Sequence, residues 1–181
     1  TVLPPPPAPP APTPVDDGFE ATPTGQPPAL ATVIEEGLGD SVRVTAEVAA
    51  SGRQSLKVVD APGLEHVFNP HLFYSPHFRT GRAVLSFDVR MESGAILAHE
   101  WRDGSSPYRT GPSLWITAGG KLVANGREVM DVPAGEWFRL QIACTLGREA
   151  DGTYDLTVTL PGASPRSFPG LGYPGLKLQR L

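Results

Sequence analysis

The chain has a single cysteine, Cys144, so no intrachain disulfide can brace it. Leu140, Ile142 and Leu146 stand at alternate positions around that cysteine and mark it as a buried, inert thiol. A reactive thiolate would need an electropositive, partly exposed site instead. No apolar run approaches the ~20 residues of a membrane span, which excludes a spanning helix. Positive charge is sparse as well: 15 Lys and Arg stand against 19 Asp and Glu, for a formal net charge of −4. The basic residues form no stripe that could track a phosphate backbone, and nucleic acid is not an expected partner. A Gly-rich phosphate loop, a zincin motif and a G-x-S-x-G elbow are all missing, and no serine stands in a triad context, which removes those hydrolase chemistries. Thr1 is followed by neither a basic start nor an apolar h-region, so the sequence reads as a processed or trimmed form rather than one carrying a secretory signal.

Glycine and proline are abundant, at 20 and 21 of 181 residues, about twice ordinary usage. Long helices are therefore not expected. Eight of the prolines fall in residues 1–14, TVLPPPPAPPAPTP. They fix φ and delete backbone donors, so residues 1–15 are expected to form an extended polyproline II linker to a neighbouring domain. Residues 16–181 then suit one all-β domain.

Period-two alternation supports that class. Val42, Val44, Ala46 and Val48 alternate with polar residues, as do Leu85, Phe87, Val89 and Met91, then Phe138 to Leu146, then Tyr154, Leu156, Val158 and Leu160. Such alternation belongs to strands with one face packed and one face wet. Weaker strands are expected at 30–36, 54–60, 96–102, 113–118, 121–124 and 128–132. Gly119-Gly120, Asn125-Gly126 and Asp151-Gly152 read as tight hairpin turns, because these pairs tolerate positive φ. The expectation is an antiparallel two-sheet sandwich of jelly-roll order.

Three stretches carry a resemblance: Asp17-Gly18-Phe19-Glu20, the run Ala50-Ser51-Gly52-Arg53-Gln54-Ser55-Leu56-Lys57-Val58, and the strand from Ala83 to Arg90. They resemble the concanavalin A-like lectin and glucanase superfamily and the carbohydrate-binding modules built like it. That resemblance implies a jelly roll, a glycan ligand and a structural calcium ion. Such proteins usually end on a strand with an acidic residue, whereas this chain stops at Leu178-Gln179-Arg180-Leu181, so a C-terminal strand is expected to be missing or supplied otherwise. For calcium, which takes six to eight hard oxygens, the candidates are Glu20, the turn at 51–54 and Asp60.

The candidate ligand site rests on a hairpin. If Phe87, Val89 and Met91 face inward with Leu97, His99 and Trp101, a turn at Ser93, Gly94 and Ala95 sets Asp88 opposite Glu100, with Arg90 and Arg102 flanking them. Opposed strand residues have Cβ atoms ~4.5–5.5 Å apart, near the carboxyl spacing of a retaining glycosidase. Two guanidinium groups would keep those carboxyls ionised, however, and spoil a general acid. The glucanases also carry their acids as E-x-D-x-(x)-E on one strand, where this chain has Arg90 at the centre. A ligand-binding charge network is preferred to catalysis.

Exposed aromatic rings complete the site, since a flat ring offers an apolar face to a pyranose. Trp115 alternates against Leu114 and Ile116 and should point outward. Tyr108 lies in a loop, and Phe73 and Tyr74 lie in a Pro-bracketed segment. Trp101 and Trp137 read as core or rim. His66, His71 and His77 share no face and read as ordinary surface histidines rather than a zinc site.

The leading expectation is a non-catalytic carbohydrate-binding module on a proline-rich tether, in a bacterial secreted or cell-surface setting. Its residues are Asp88, Arg90, Glu100, Arg102, Tyr108 and Trp115. One alternative is a glycoside hydrolase or polysaccharide lyase using Asp88 and Glu100. The other is a structural surface or filament protein that self-associates by strand addition.

Overall fold

The computed structural model describes residues 3–181, so Thr1 and Val2 of the proline tract lie outside the described residues. Residues 3–16 carry no regular secondary structure and are exposed. Two compact units are distinguished within the chain: Thr13–Pro76, and His77–Leu181 together with the described residues up to Pro12.

The smaller unit contains β1 (Thr32–Ile34), β2 (Ser41–Thr45), β3 (Ser55–Val59) and β4 (His71–Phe73). β1 pairs with β4 and β2 with β3, both antiparallel. Val42 and Val44 are buried, and Thr22, Asp40, Ser55 and Asn69 are buried polar residues beside this small apolar interior. Carboxylates order the loops by accepting backbone N–H groups. Glu20 accepts from Arg53 and Gln54 at 2.7 and 2.8 Å, and Asp40 accepts from Glu36 and Leu38 at 2.7 and 3.0 Å. Glu36 accepts from Glu65 and His66 at 2.6 and 2.9 Å. Glu35 accepts from Val42 at 2.6 Å and grips the Arg43 guanidinium with both oxygens.

The larger unit is an antiparallel β-sandwich. It contains β5 (Gly81–Arg90), β6 (Leu97–Arg102), β7 (Thr110–Ile116), β8 (Lys121–Ala124), β9 (Arg127–Asp131), β10 (Trp137–Leu146), β11 (Thr153–Thr159) and β12 (Arg166–Gly172). One sheet is ordered β12-β11-β10-β5 and the other β6-β7-β8-β9. Alternation places Leu140, Ile142, Leu156 and Val158 of the first sheet against Leu114, Ile116, Leu122 and Ala124 of the second in one buried cluster. The three expected turn dipeptides close β7-β8, β8-β9 and β10-β11. Asn125 sits at φ +44°, as the tight turn before Gly126 requires. Cys144 is buried in the cluster, and burial pushes its thiol pKa up to about 11.

After β12 a short 3-10 turn, Pro174–Leu176, brings Leu178 into the core, where it is fully buried. A Cβ on Gly111 would stand 2.5 Å from Leu178 Cδ1, so the absence of a side chain at 111 makes room for that leucine. The Leu181 N–H donates to the Phe78 carbonyl.

The expected hairpin between 85–92 and 96–102 does not form. β5 pairs with β10 along ten positions, from Trp137↔Arg90 to Leu146↔Gly81, and β6 pairs with β7. The turn at 92–95 is present, with the Ala95 N–H donating to the Glu92 carbonyl, but the chain crosses there from one sheet to the other. The inward faces are those expected: Phe87 and His99 meet across the interior with ring centroids 5.1 Å apart. Period two fixes which side chains face the core. It leaves open whether two facing strands lie side by side or one above the other.

Candidate functional site

Asp88 and Glu100 alternate with those inward residues on opposing sheets, so they occupy the two outer faces of the sandwich, and sheets pack ~10 Å apart. The carboxylate pair proposed from sequence is therefore not assembled, and neither are two arginines flanking it. Asp88 lies opposite Arg139 on β10 and binds it in a fork, with Nε and Nη2 donating at 2.9 and 2.7 Å. That bond raises the Arg139 pKa further. Arg90, opposite Trp137, has its Nε 3.3 Å from Glu92 Oε1.

Four of the six expected residues share the outer side of the β6–β9 sheet. Glu100 and Arg102 both point outward from β6 and are ion-paired. The Arg102 guanidinium carbon lies 4.5 Å from the centre of the Tyr108 ring, so Arg102 is held between a carboxylate and a phenol ring. Trp115 faces outward from β7 and is 47 % exposed. Its cross-strand neighbours are Ala98 on β6 and Val123 on β8, small enough to leave the indole proud of the sheet. Glu100 stands one step along, opposite Ser113. Past Val123, Lys121 is bound to Glu128 at 3.1 Å and Asp131 at 2.6 Å. The charged side chains bordering the indole thus come already paired.

The loop carrying Tyr108 is organised from below by Asp103, which is buried. Asp103 Oδ1 accepts from the Ser105 hydroxyl, the Ser105 N–H at 3.1 Å and the Arg109 N–H at 3.0 Å. Burial pushes the Asp103 pKa up, but the hydroxyl and backbone donors outweigh it and the net shift is downward. A bulge between Glu100 and Arg102 gives β7 one extra residue in this stretch, at Gly111-Pro112, and sets where Arg102 meets the loop.

Ala98, Ser113 and Val123 were not legible as parts of this surface. Gly119-Gly120 fixes how β8 returns along β7, so Val123 could have been found from the turn. Ala98 could not, because the β6-β7 register depends on the bulge.

Trp101 is buried, whereas Trp137 is half-buried. Phe73 and Tyr74 belong to the smaller unit, where the Tyr74 hydroxyl donates to Asp17. His66 stacks on Phe68 at 5.0 Å, and His71 Nδ1 lies 2.9 Å from Asn69 Oδ1. Glu20 Oε1 accepts the Arg53 and Gln54 backbone N–H groups, and its Oε2 lies 3.6 Å from Arg53 Nε. Its pKa is lowered first by the Arg53 and Gln54 backbone bonds. Asp60 turns back to accept from the Ala61 N–H. Among the described residues no three His, Cys, Asp or Glu side chains gather as metal ligands. No helix is long and apolar enough to cross a membrane among the described residues. Comparison with protein-family models, curated proteins and solved structures finds no match to this chain.

Proposed function

We propose that the sandwich is a non-catalytic carbohydrate-binding module, of secreted or cell-surface setting, that receives a glycan on the outer face of the β6–β9 sheet. The observation that carries the reading is the outward Trp115 indole between Ala98 and Val123, with the Arg102–Tyr108 stack and Glu100 beside it. A sugar ring packs its C–H face on the indole, while its hydroxyls donate to Glu100 and accept from Arg102. The likeness to lectin-type jelly rolls rests on the quoted sequence stretches alone.

Calorimetry against neutral oligosaccharides tests the site. Trp115→Ala should weaken binding at least ~10-fold while leaving the melting temperature nearly unchanged, since half the indole is already in water. Arg102→Ala, Tyr108→Ala and Glu100→Gln should each weaken it less. Indifference to all four substitutions would falsify the assignment.

Assembly by strand addition has one observation in its favour. β5, ten residues long, hydrogen-bonds a strand, β10, on one side only among the described residues. Sedimentation settles that reading: concentration-dependent growth supports it, and a stable monomer at high concentration counts against it.

A further inference from the structure

Resting on the glycan reading, we infer that the opposite outer face carries a second, independent site for a neutral glycan, so that one sandwich holds two polysaccharide chains at once. The register of the β12-β11-β10-β5 sheet lays out two adjacent rows of outward side chains. One row runs Asp88, Arg139, Thr159 and the next runs Ser86, Gln141, Thr157. All of them but Ser86 border a depression of about 690 Å³ whose lining also includes Trp137, and this size lies within the range of small-ligand sites. None of these side chains enters the core, because each alternates with a core residue of its own strand.

The chemistry of the lining selects the ligand. Asp88 and Arg139 satisfy each other in a fork, so the depression carries no net charge and gives no advantage to a uronate or a phosphate ester. Each partner keeps further capacity, since a carboxylate has about four lone-pair sites and a guanidinium five N–H groups. The Gln141 side chain is exposed and supplies both a donor and an acceptor, and the Thr159 hydroxyl supplies one of each. Trp137 gives an apolar edge beside them. Mixed donors and acceptors with an aromatic wall and no free charge match a pyranose with unsubstituted hydroxyls.

This face and the Trp115 face look in opposite directions from one sandwich. Two chains bound there are kept apart by both sheets, and the consequence is cross-linking of polysaccharide by a single protein chain.

The test uses the full chain with hexasaccharides of β-1,4-glucan, β-1,3-glucan, mannan and xylan, read by calorimetry, and then turbidity with the parent polymer of whichever binds. The expected result is two hexasaccharides per wild-type chain, one per Trp115→Ala chain and one per Gln141→Ala/Thr159→Ala chain. Turbidity should rise with the wild type alone, and added salt should leave the affinity within about 2-fold, as an uncharged ligand requires. Asp88→Asn, which keeps the side-chain shape, should weaken the second site about 10-fold, and melting curves check that each variant is folded. One hexasaccharide per wild-type chain, unaffected by changes at 88, 141 and 159, overturns the second site and leaves the first standing. Loss of all binding on Trp115→Ala alone overturns independence of the two faces. No binding of any of the four hexasaccharides overturns the glycan reading and this inference with it.

Discussion

Asn125 joins more of the sandwich than its place in a two-residue turn suggests. Its Oδ1 accepts from the Ser113 N–H at 3.1 Å and from the Tyr154 hydroxyl at 2.6 Å, and its Nδ2 donates to the Gly111 carbonyl at 3.2 Å. Tyr154 lies on β11 of the facing sheet and is almost fully buried, so this amide ties the two sheets together. Asn125→Gly keeps the backbone conformation but strands a buried hydroxyl and an N–H, and should cost about 3 kcal/mol in denaturant unfolding. Tyr154→Phe should cost about 1 kcal/mol, and the double variant less than the two together.

His99 is the residue through which the sandwich senses mild acid. Burial holds its imidazole neutral down to a pKa of about 4, partly opposed by the Glu100 charge. The unfolded chain takes up that proton near the ordinary 6.5, so between pH 6.5 and 4 the unfolded state binds more protons and folding stability falls as pH falls. The loss approaches roughly 3 kcal/mol by pH 4. Melting curves should show the wild type losing stability over this window and His99→Leu losing markedly less. Cys144 gives a simpler expectation. With its thiol pushed up to about 11, a thiol reagent at pH 8 should leave the native protein unlabelled and label it fully in denaturant.

At the scale of elements, the bulge of β7 and the C-terminal segment depend on each other. Gly111→Ala places a methyl where Leu178 Cδ1 and Cγ already lie, 2.5 and 2.7 Å away, and Leu178 is fully buried with nowhere to move. The expected loss is about 1–3 kcal/mol, and Leu178→Ala alone should cost about 2–5 kcal/mol. Combining them should cost less than the sum, because the smaller side chain admits the methyl. A strictly additive pair in unfolding titrations would contradict this packing account. Strand β12 shows how an element can hide from the sequence. Pro169, Gly170 and Gly172 break its alternation, yet it occupies a sheet edge, where a missing N–H is tolerated. β4 is hidden differently: three residues next to the histidine and proline segment are too few for a period to show.

At the scale of the whole molecule, both units hold lowered carboxyls, Asp103 and Asp151 in the sandwich among them, and what sets the sandwich apart in mild acid is the buried His99. The carboxyl pKa values of Glu20, Glu35, Glu36 and Asp40 in the smaller unit are all lowered. Depressed carboxyl pKa values stabilise the fold above the ordinary carboxylate range, and that contribution disappears as pH falls through the folded values. The smaller unit should therefore hold through the window in which His99 weakens the sandwich, then open below about pH 4. Trp101, Trp115 and Trp137 all lie in the sandwich unit, so tryptophan fluorescence follows that unit alone. Hydrogen exchange at Arg53, Gln54 and His66 follows the other. Loss of their protection at pH 5 would contradict the assignment.

Alternation along each segment determined nearly all of the strand positions, the burial of Cys144 and the outward placement of Trp115, because a strand shows its two faces within a few residues of its own sequence. Turn dipeptides determined three hairpins, because positive φ is a local demand. Pairing was decided elsewhere. Whether β5 lies beside β6 or beneath it depends on β10, fifty residues further on, offering ten backbone partners, and no residue near Asp88 carries that information. The same sequence thus gave Asp88 its outward direction and gave Glu100 the same, while only the folding of two sheets over one core put them on opposite faces.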